Sequence, residues 1–212
     1  MQMTDKHHSV IEATGRGSVT AQPDIALLRL GVATRANEPS QATDENAKIV
    51  AKVIAAIKQA GIPESAIQTA GLSLQPVYEW DEANRRNVLL GYRAENNVTV
   101  RTPVERAGKV YDAGIKAGAN EAGGIVFTIA DDTKYRRAAL AEATRLAVEE
   151  IETVAQALKV TLIGPVQAQV ISEGGPRPFE AAIRKAEIDT PILPGQLEIV
   201  ELVRVTFEIG RP

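Results

Sequence analysis

Residues Ala13–Thr34 read ATGRGSVTAQPDIALLRLGVAT, a Gly-x-Gly step and a Pro-Asp pair set among strand-forming residues. A dinucleotide-binding loop needs a third glycine and a helix N-terminus that receives the phosphates. Gly15 and Gly17 have neither, because the residues on both sides of them favour extended backbone. The glycines therefore permit a bulge or a close backbone approach, and Pro23-Asp24 turns the chain between two strands.

Working outward, Ile25–Arg35 is a strand with Leu28, Leu30 and Val32 on one face and Ile25 and Leu27 on the other, so burial on both faces is expected. Ser40–Ala60 switches to helical spacing through Val50, Val53, Ile54 and Ile57, and Gly61 and Pro63 stop it. Ile67–Trp80 and Val88–Arg101 are extended and joined by the polar loop DEANRRN. The second alternates, with Leu90, Tyr92, Ala94, Val98 and Val100 opposing Arg93, Glu95, Thr99 and Arg101. Val104–Ala117 is a short helix ended by Gly118, and Gly124–Ile129 is a strand.

From Asp24 to Ala130 the order is βαββαβ, which is that of a ferredoxin-like unit with its first and last strands side by side. Leu28, Leu30, Val53, Ile57, Val98 and Phe127 are its expected core. Residues 10–21 and 131–209 form a second, discontinuous α/β unit with antiparallel strands near Val166–Ser172 and Leu197–Ile209. Its long helix, Asp132–Lys159, carries a stripe of Leu140, Ala147, Ile151, Val154 and Leu158, with Asp131 or Asp132 able to cap its start. The expected fold class is α+β over residues 10–209, with residues 1–9 a flexible tail.

Composition narrows the function. The 212 residues include 44% hydrophobic ones, enough for a substantial core. A net charge of −3, with Lys and Arg dispersed among acids, offers no footprint for nucleic acid. Zero cysteines remove thiol nucleophiles, disulfides and thiolate metal sites. No apolar run is long enough for a membrane span, and Met1–Ser9 lacks the apolar core of a signal peptide, so the chain reads as mature, truncated or cytosolic.

Several separated blocks carry a resemblance: GRGSVTAQPDIALLRLGV, GIPESAIQTAGLSLQPVYEW, GYRAENNVTV, AGANEAGGIVF, EATRLAVEEIETVAQAL and TPILPGQLEIVELVRVTFEI. Together they resemble the SIMPL domain family, the YggE-like proteins, from about Val10 to Ile209. The resemblance implies an exported periplasmic or envelope-associated protein, linked to oxidative-stress defence, immunogenicity and homo-oligomerisation. It implies envelope or outer-membrane association as well, and it brings no catalytic residues. The opening MQMTDKHHSV departs from the cleavable signal of an exported member, as a chain with its signal removed would.

The polar features have structural readings. His7 and His8 are adjacent on a tail and fall short of the three or four convergent ligands of a metal site. Asp131 and Asp132 fit helix capping better than a carboxylate pair for acid–base work. Glu149, Glu150 and Glu152, with Arg136, Arg137 and Arg145, read as a solvated helix face. Tyr78 and Trp80 share a face with Leu72 and Leu74; these two and Tyr92 fit core or interface packing better than a stacking platform. Ser40 and the other hydroxyls lack a histidine base.

No catalytic, cofactor-binding or metal residue is therefore assigned, and no cofactor is expected. The leading reading is a non-enzymatic envelope protein that self-assembles and binds through edge strands and the segment Glu173–Gly195, whose Phe179, Ile183, Ile188, Ile192 and Leu193 are more apolar than a solvated loop requires. The alternative is a small enzyme with a carboxylate, arginine or tyrosine site in a groove between the two units.

Overall fold

The computed structural model describes residues 9–172, 175–178 and 194–211. Phe179, Ile183, Ile188, Ile192 and Leu193, like His7 and His8, lie outside the described residues. The fold is mixed α/β, with two antiparallel sheets and three α-helices among the described residues. The chain divides into two compact units, one built on Pro23–Thr128 and the other joining the N-terminal strand to the long helix and the C-terminal strands that follow Ile129 and Gly195.

In the first unit the elements are β2 (Ile25–Ala36), α1 (Pro39–Gln59), β3 (Ile67–Asp81), β4 (Arg86–Pro103), α2 (Ala107–Lys116) and β5 (Glu121–Thr128), after β1 (Val10–Ala21) of the other unit. The sheet order is β3-β4-β2-β5, antiparallel throughout, so the strands holding Ile25 and Gly124 are hydrogen-bonded neighbours. Ala26, Leu28, Leu30 and Val32 on β2 and Val98 and Val100 on β4 form one apolar face. Val50, Val53 and Ile57 of α1 and Ala107 and Val110 of α2 pack on that same face. Asn46 is buried within it and donates to the Val32 and Ala94 carbonyls at 2.7 and 3.2 Å, tying α1 to two strands at once. Gly61 ends α1 at φ +93°, a conformation glycine adopts without a Cβ penalty.

Three expectations for this unit change. The second face of β2 is not buried: Ile25 and Leu27 are only half-covered and Arg29 is exposed, because both helices lie on the other face. Phe127 packs against the core without being fully enclosed by it. The last strand starts at Glu121 rather than Gly124; Gly124, at φ +85°, lies inside the strand beside a register shift, so a glycine read as a boundary is a bulge.

The second unit contains β1, α3 (Thr133–Leu158), β6 (Thr161–Ser172), β7 (Arg177–Pro178) and β8 (Leu197–Gly210). The order is β1-β8-β6, with the two-residue β7 also paired to β8. Helix α3 packs on β1 and β8 through Ala139, Ala143, Ala147, Ile151 and Ala155, one residue every four. Of the expected stripe, Ala147 and Ile151 are buried here and Leu140 packs beside them, whereas Val154 and Leu158 are exposed and the ridge continues through alanines instead. The cause lies in β1. A Cβ on Gly15 would stand 1.9 Å from the Ala143 carbonyl oxygen, and one on Gly17 would stand 2.1 Å from that of Ala139. The helix backbone rests on the strand backbone at Gly15 and Gly17, and Ala139, Ala143 and Ala147 are the residues at that contact. Strand β1 pairs with β8 without a register shift, so Gly15 and Gly17 serve close packing and not a bulge.

Candidate functional site

The face of the β2–β4–β5 sheet away from its helices is polar, and it holds a cavity of about 780 Å³. Arg29 of β2, Glu95, Asn97 and Thr99 of β4, and Asn120, Glu121 and Gly123 at β5 line it. Antiparallel pairing sets these side chains in rows, with Arg29 opposite Thr99, and Gly31 flanked by Asn97 and Glu121. Two glycines make room for the arrangement. A Cβ on Gly31 would lie 2.5 Å from Asn97 Oδ1 and 3.1 Å from Glu121 Cβ, and one on Gly123 would lie 2.9 Å from Arg29 Cβ.

The polar groups are held by a short network. Asn97 Nδ2 donates to Glu95 Oε1 at 2.9 Å. Arg93 contacts both Glu95, at 3.6 Å, and Glu121, while its buried Nε has no partner. Asn120 accepts from the Ala33 amide and donates to the Ala33 carbonyl, both at 2.8 Å, acting as a strand partner at the start of β5. Arg29 makes no ion pair among the described residues. The sequence placed Arg93, Glu95 and Thr99 on one side of their strand but carried no sign that Arg29 and Glu121 meet them. The available signal was the glycine pair Gly123-Gly124 facing a strand that itself contains Gly31.

A second feature lies on the β3–β4 hairpin. Strand β2 ends at Ala36, opposite Tyr92, so residues 77–91 continue as a two-stranded arm with no third strand beside them among the described residues. On it Tyr78 is 57% and Trp80 55% exposed, and Leu89 and Leu90 are exposed too; Leu72 and Leu74, also exposed, precede it on edge strand β3, where β4 is still paired with β2. Tyr78 pairs across the ribbon with Leu89. The core half of the expectation for Tyr78 and Trp80 therefore fails, as does inward packing of Leu90, because the sheet that would carry a covering helix stops at Ala36; Tyr92 is half-buried. Strand β6, at the edge of the other sheet, likewise exposes Ile163, Val166 and Val170.

The remaining candidates are placed as follows. Asp131 Oδ1 accepts from the Thr133 amide at 3.0 Å, whereas Asp132 makes no side-chain cap. The hydrogen bonds from the Thr133 side chain and amide hold the Asp131 carboxyl below the usual aspartate range. Arg145 pairs with Glu142 at 2.7 Å and with Glu149 on the exposed face of α3. Those two carboxylates raise the Arg145 guanidinium above its ordinary value, and Arg145 in turn lowers Glu142. Ser40 is exposed at the start of α1. Among the described residues there is no group of three or more metal-ligating side chains.

The sequence profile of the SIMPL family, described as a protein of unknown function (DUF541), matches residues 11–207. The chain belongs to the SIMPL family. A 26 kDa periplasmic immunogenic protein of Brucella melitensis is 30% identical over 213 residues, covering 94% of this chain and 84% of that protein. The uncharacterized protein YggE of Edwardsiella ictaluri is 32% identical over 157 residues, 74% of this chain and 65% of its own length. The Escherichia coli K12 protein of the same name is 29% identical over 166 residues, 78% of this chain and 65% of that protein. These SIMPL relatives carry names that describe location, immunogenicity or no function, and none names an enzyme. Among the described residues of this chain, no helix is long and apolar enough to cross a membrane.

Proposed function

We propose that this SIMPL protein is a non-enzymatic periplasmic or envelope protein that works by self-assembly and binding, with the β3–β4 arm as its principal contact between copies. The exposed arm carries the reading. A two-stranded ribbon is marginal in water, and one bearing Tyr78, Trp80, Leu89 and Leu90, continued along edge strand β3 by Leu72 and Leu74, has more apolar surface than a monomer ordinarily leaves open. A second copy is the favoured occupant, because a closed two-fold contact lets the same aromatic and leucine surface cover itself. The arm mixes Glu79, Asp81 and Glu82 with Arg85 and Arg86, so it lacks the basic bias that draws a segment to an anionic lipid surface. Pro76 on edge strand β3 and Pro165 on edge strand β6 cannot donate to an added strand, which favours face packing over continuous strand addition.

The periplasmic reading is supported by the name of the Brucella relative and by the resemblance. A link to oxidative-stress defence rests on the resemblance alone. Since the chain has no cysteine and its two methionines are Met1 and Met3, such a role would run through binding or shielding rather than sulfur oxidation. The strand order β5-β2-β4-β3, with both helices on one face, supports reading residues 24–130 as a ferredoxin-like unit and 10–21 with 131–209 as a second.

Light scattering after size-exclusion chromatography tests the assembly. The intact chain is expected to form a closed oligomer that Trp80→Glu with Leu72→Glu dissociates into folded subunits. A monomeric intact chain at every accessible concentration sinks the proposal. Replacing Glu173–Gly195 by a Gly/Ser linker separates that segment's contribution from the arm's.

A further inference from the structure

We infer that the polar cavity on the β2–β4–β5 sheet binds a small zwitterion of dipeptide size, its carboxylate on Arg29 and its ammonium at Glu121 and Glu95. This site is separate from the apolar arm and does not depend on the assembly proposed above.

The first observation is charge. At one end, the single guanidinium of Arg93 lies between the carboxylates of Glu95 and Glu121, which leaves one negative charge in excess. At the other end, Arg29 lines the same cavity and has no ion pair among the described residues. Opposite charges that fail to neutralise each other across one cavity form a fixed dipole. The complementary ligand carries the reverse dipole.

The second observation is spacing. Glu121 is in register with Gly31, one row along β2 from Arg29, and two residues of strand correspond to about 7 Å. The charged groups of a free α-amino acid are too close together to span that row. The termini of a dipeptide match it. Glu95 is opposite Ala33, one row further on, and keeps the negative end negative beyond the first carboxylate. Arg35, opposite Arg93, lies outside the cavity lining.

The third is construction. Gly31 and Gly123 remove the two side chains that would fill the space over β2 and β5, and Arg29 lays its stem over Gly123. Thr99, in the Arg29 row, offers a hydroxyl to the carboxylate end, and Asn97 Oδ1 stands over Gly31 as an acceptor for a peptide N–H. A volume of about 780 Å³ accommodates a dipeptide with its side chains and water. Guanidinium binds carboxylate in a two-point fork, which fixes the polarity of the bound chain.

The test uses the full chain, ¹⁵N-labelled, titrated with L-alanyl-L-alanine and followed by amide shifts. Saturable shifts centred on Arg29, Asn97, Thr99 and Glu121 are expected, with Kd in the millimolar range or tighter. N-acetyl-alanyl-alanine, which lacks the ammonium, and alanyl-alanine amide, which lacks the carboxylate, should each bind at least ten-fold more weakly. Arg29→Gln and Glu121→Gln, checked for an unchanged thermal midpoint, should each give the same loss for the parent dipeptide and little further loss for the analogue missing the matching group. Absence of saturable shifts overturns the inference. So does equal binding of the capped forms, and so does a loss confined to the amide, which would mark a simple anion site.

Discussion

Replacing Gly15 by alanine puts a methyl group where the helix backbone already stands. Its Cβ would be 1.9 Å from the Ala143 carbonyl oxygen and 2.6 Å from the Ala147 amide nitrogen. Neither neighbour can rotate away, so α3 must lift by more than an ångström or β1 must leave its register with β8. Overpacking of this kind costs about 1–3 kcal/mol, and a main-chain clash belongs at the upper end. Alanine restricts the unfolded chain and returns about 0.4–1 kcal/mol. The net loss is about 2 kcal/mol, and at about 2–4 °C per kcal/mol for a chain of this size the thermal midpoint should fall by about 4–8 °C. Gly71→Ala is the control, because a Cβ there meets nothing within 4 Å. Thermal and urea unfolding, followed by circular dichroism, measure both. Since the clash is with backbone, Ala143→Gly should not rescue Gly15→Ala. Equal midpoints for the Gly15 and Gly71 variants would refute the close-packing account and reopen a ligand role for the Gly-x-Gly step.

Glu201 is fully buried on β8, with Arg136 Nε at 2.8 Å from Oε1 and no hydrogen-bond partner for Oε2 among the described residues. Arg136→Ala should therefore cost about 3–5 kcal/mol, and Arg136→Leu combined with Glu201→Leu should recover most of it; a midpoint unmoved by Arg136→Ala would show that the carboxylate is held by other means. Val53, 1% exposed between α1 and the sheet, should lose about 3 kcal/mol or more as Val53→Asp, and a wild-type urea midpoint would place that helix face wrongly. The Asp131 carboxyl titrates below its ordinary range, so its contribution is fully present above that range and is lost as pH falls through the lowered value. Asp131→Asn should flatten the acid side of the stability profile, and an identical profile would remove the cap. The purified protein should hold no stoichiometric metal, and metal retained after removal of Met1–His8 would reveal a site that neither the residues nor their spacing disclosed.

Much of the architecture was legible because hydrophobic period and glycine placement are local signals. Val50, Val53 and Ile57 mark the buried side of α1 by spacing alone, and Gly61 marks its end. On α3 the spacing found Leu140, Ala147 and Ile151, but Val154 and Leu158 were misread for a reason that spacing does not contain. Alanine is weakly apolar, so a window over Asp132–Lys159 favours leucine and valine positions; the alanine ridge is selected by Gly15 and Gly17, more than 120 residues earlier in the chain. The glycines were recognised as permitting close approach, but what approaches them is a tertiary fact.

The same limit separates the two surface features. Alternation along β3 shows that Leu72, Leu74, Tyr78 and Trp80 share a face, and an apolar face invites the inference that something covers it. Whether the cover belongs to the same chain depends on where the neighbouring strand stops. Strand β2 stops at Ala36 because Asn37 and Glu38 lead directly into Pro39 at the first turn of α1, so the hairpin runs on past its β2 neighbour. The polar cavity is the converse case. Its polar residues come from β2, β4 and the start of β5, with Ala70 of β3 beside them, and no local window holds both Arg29 and Glu121. Antiparallel pairing brings Arg29, which has no ion pair among the described residues, within one row of an excess anion, and that juxtaposition is a property of register. A slip of one residue between β2 and β5 would turn Glu121 to the helix-covered face, into the apolar core. The register that buries Leu28 and Leu30 is therefore the same one that assembles the cavity, and a variant that weakens the core at those positions should loosen the polar site with it.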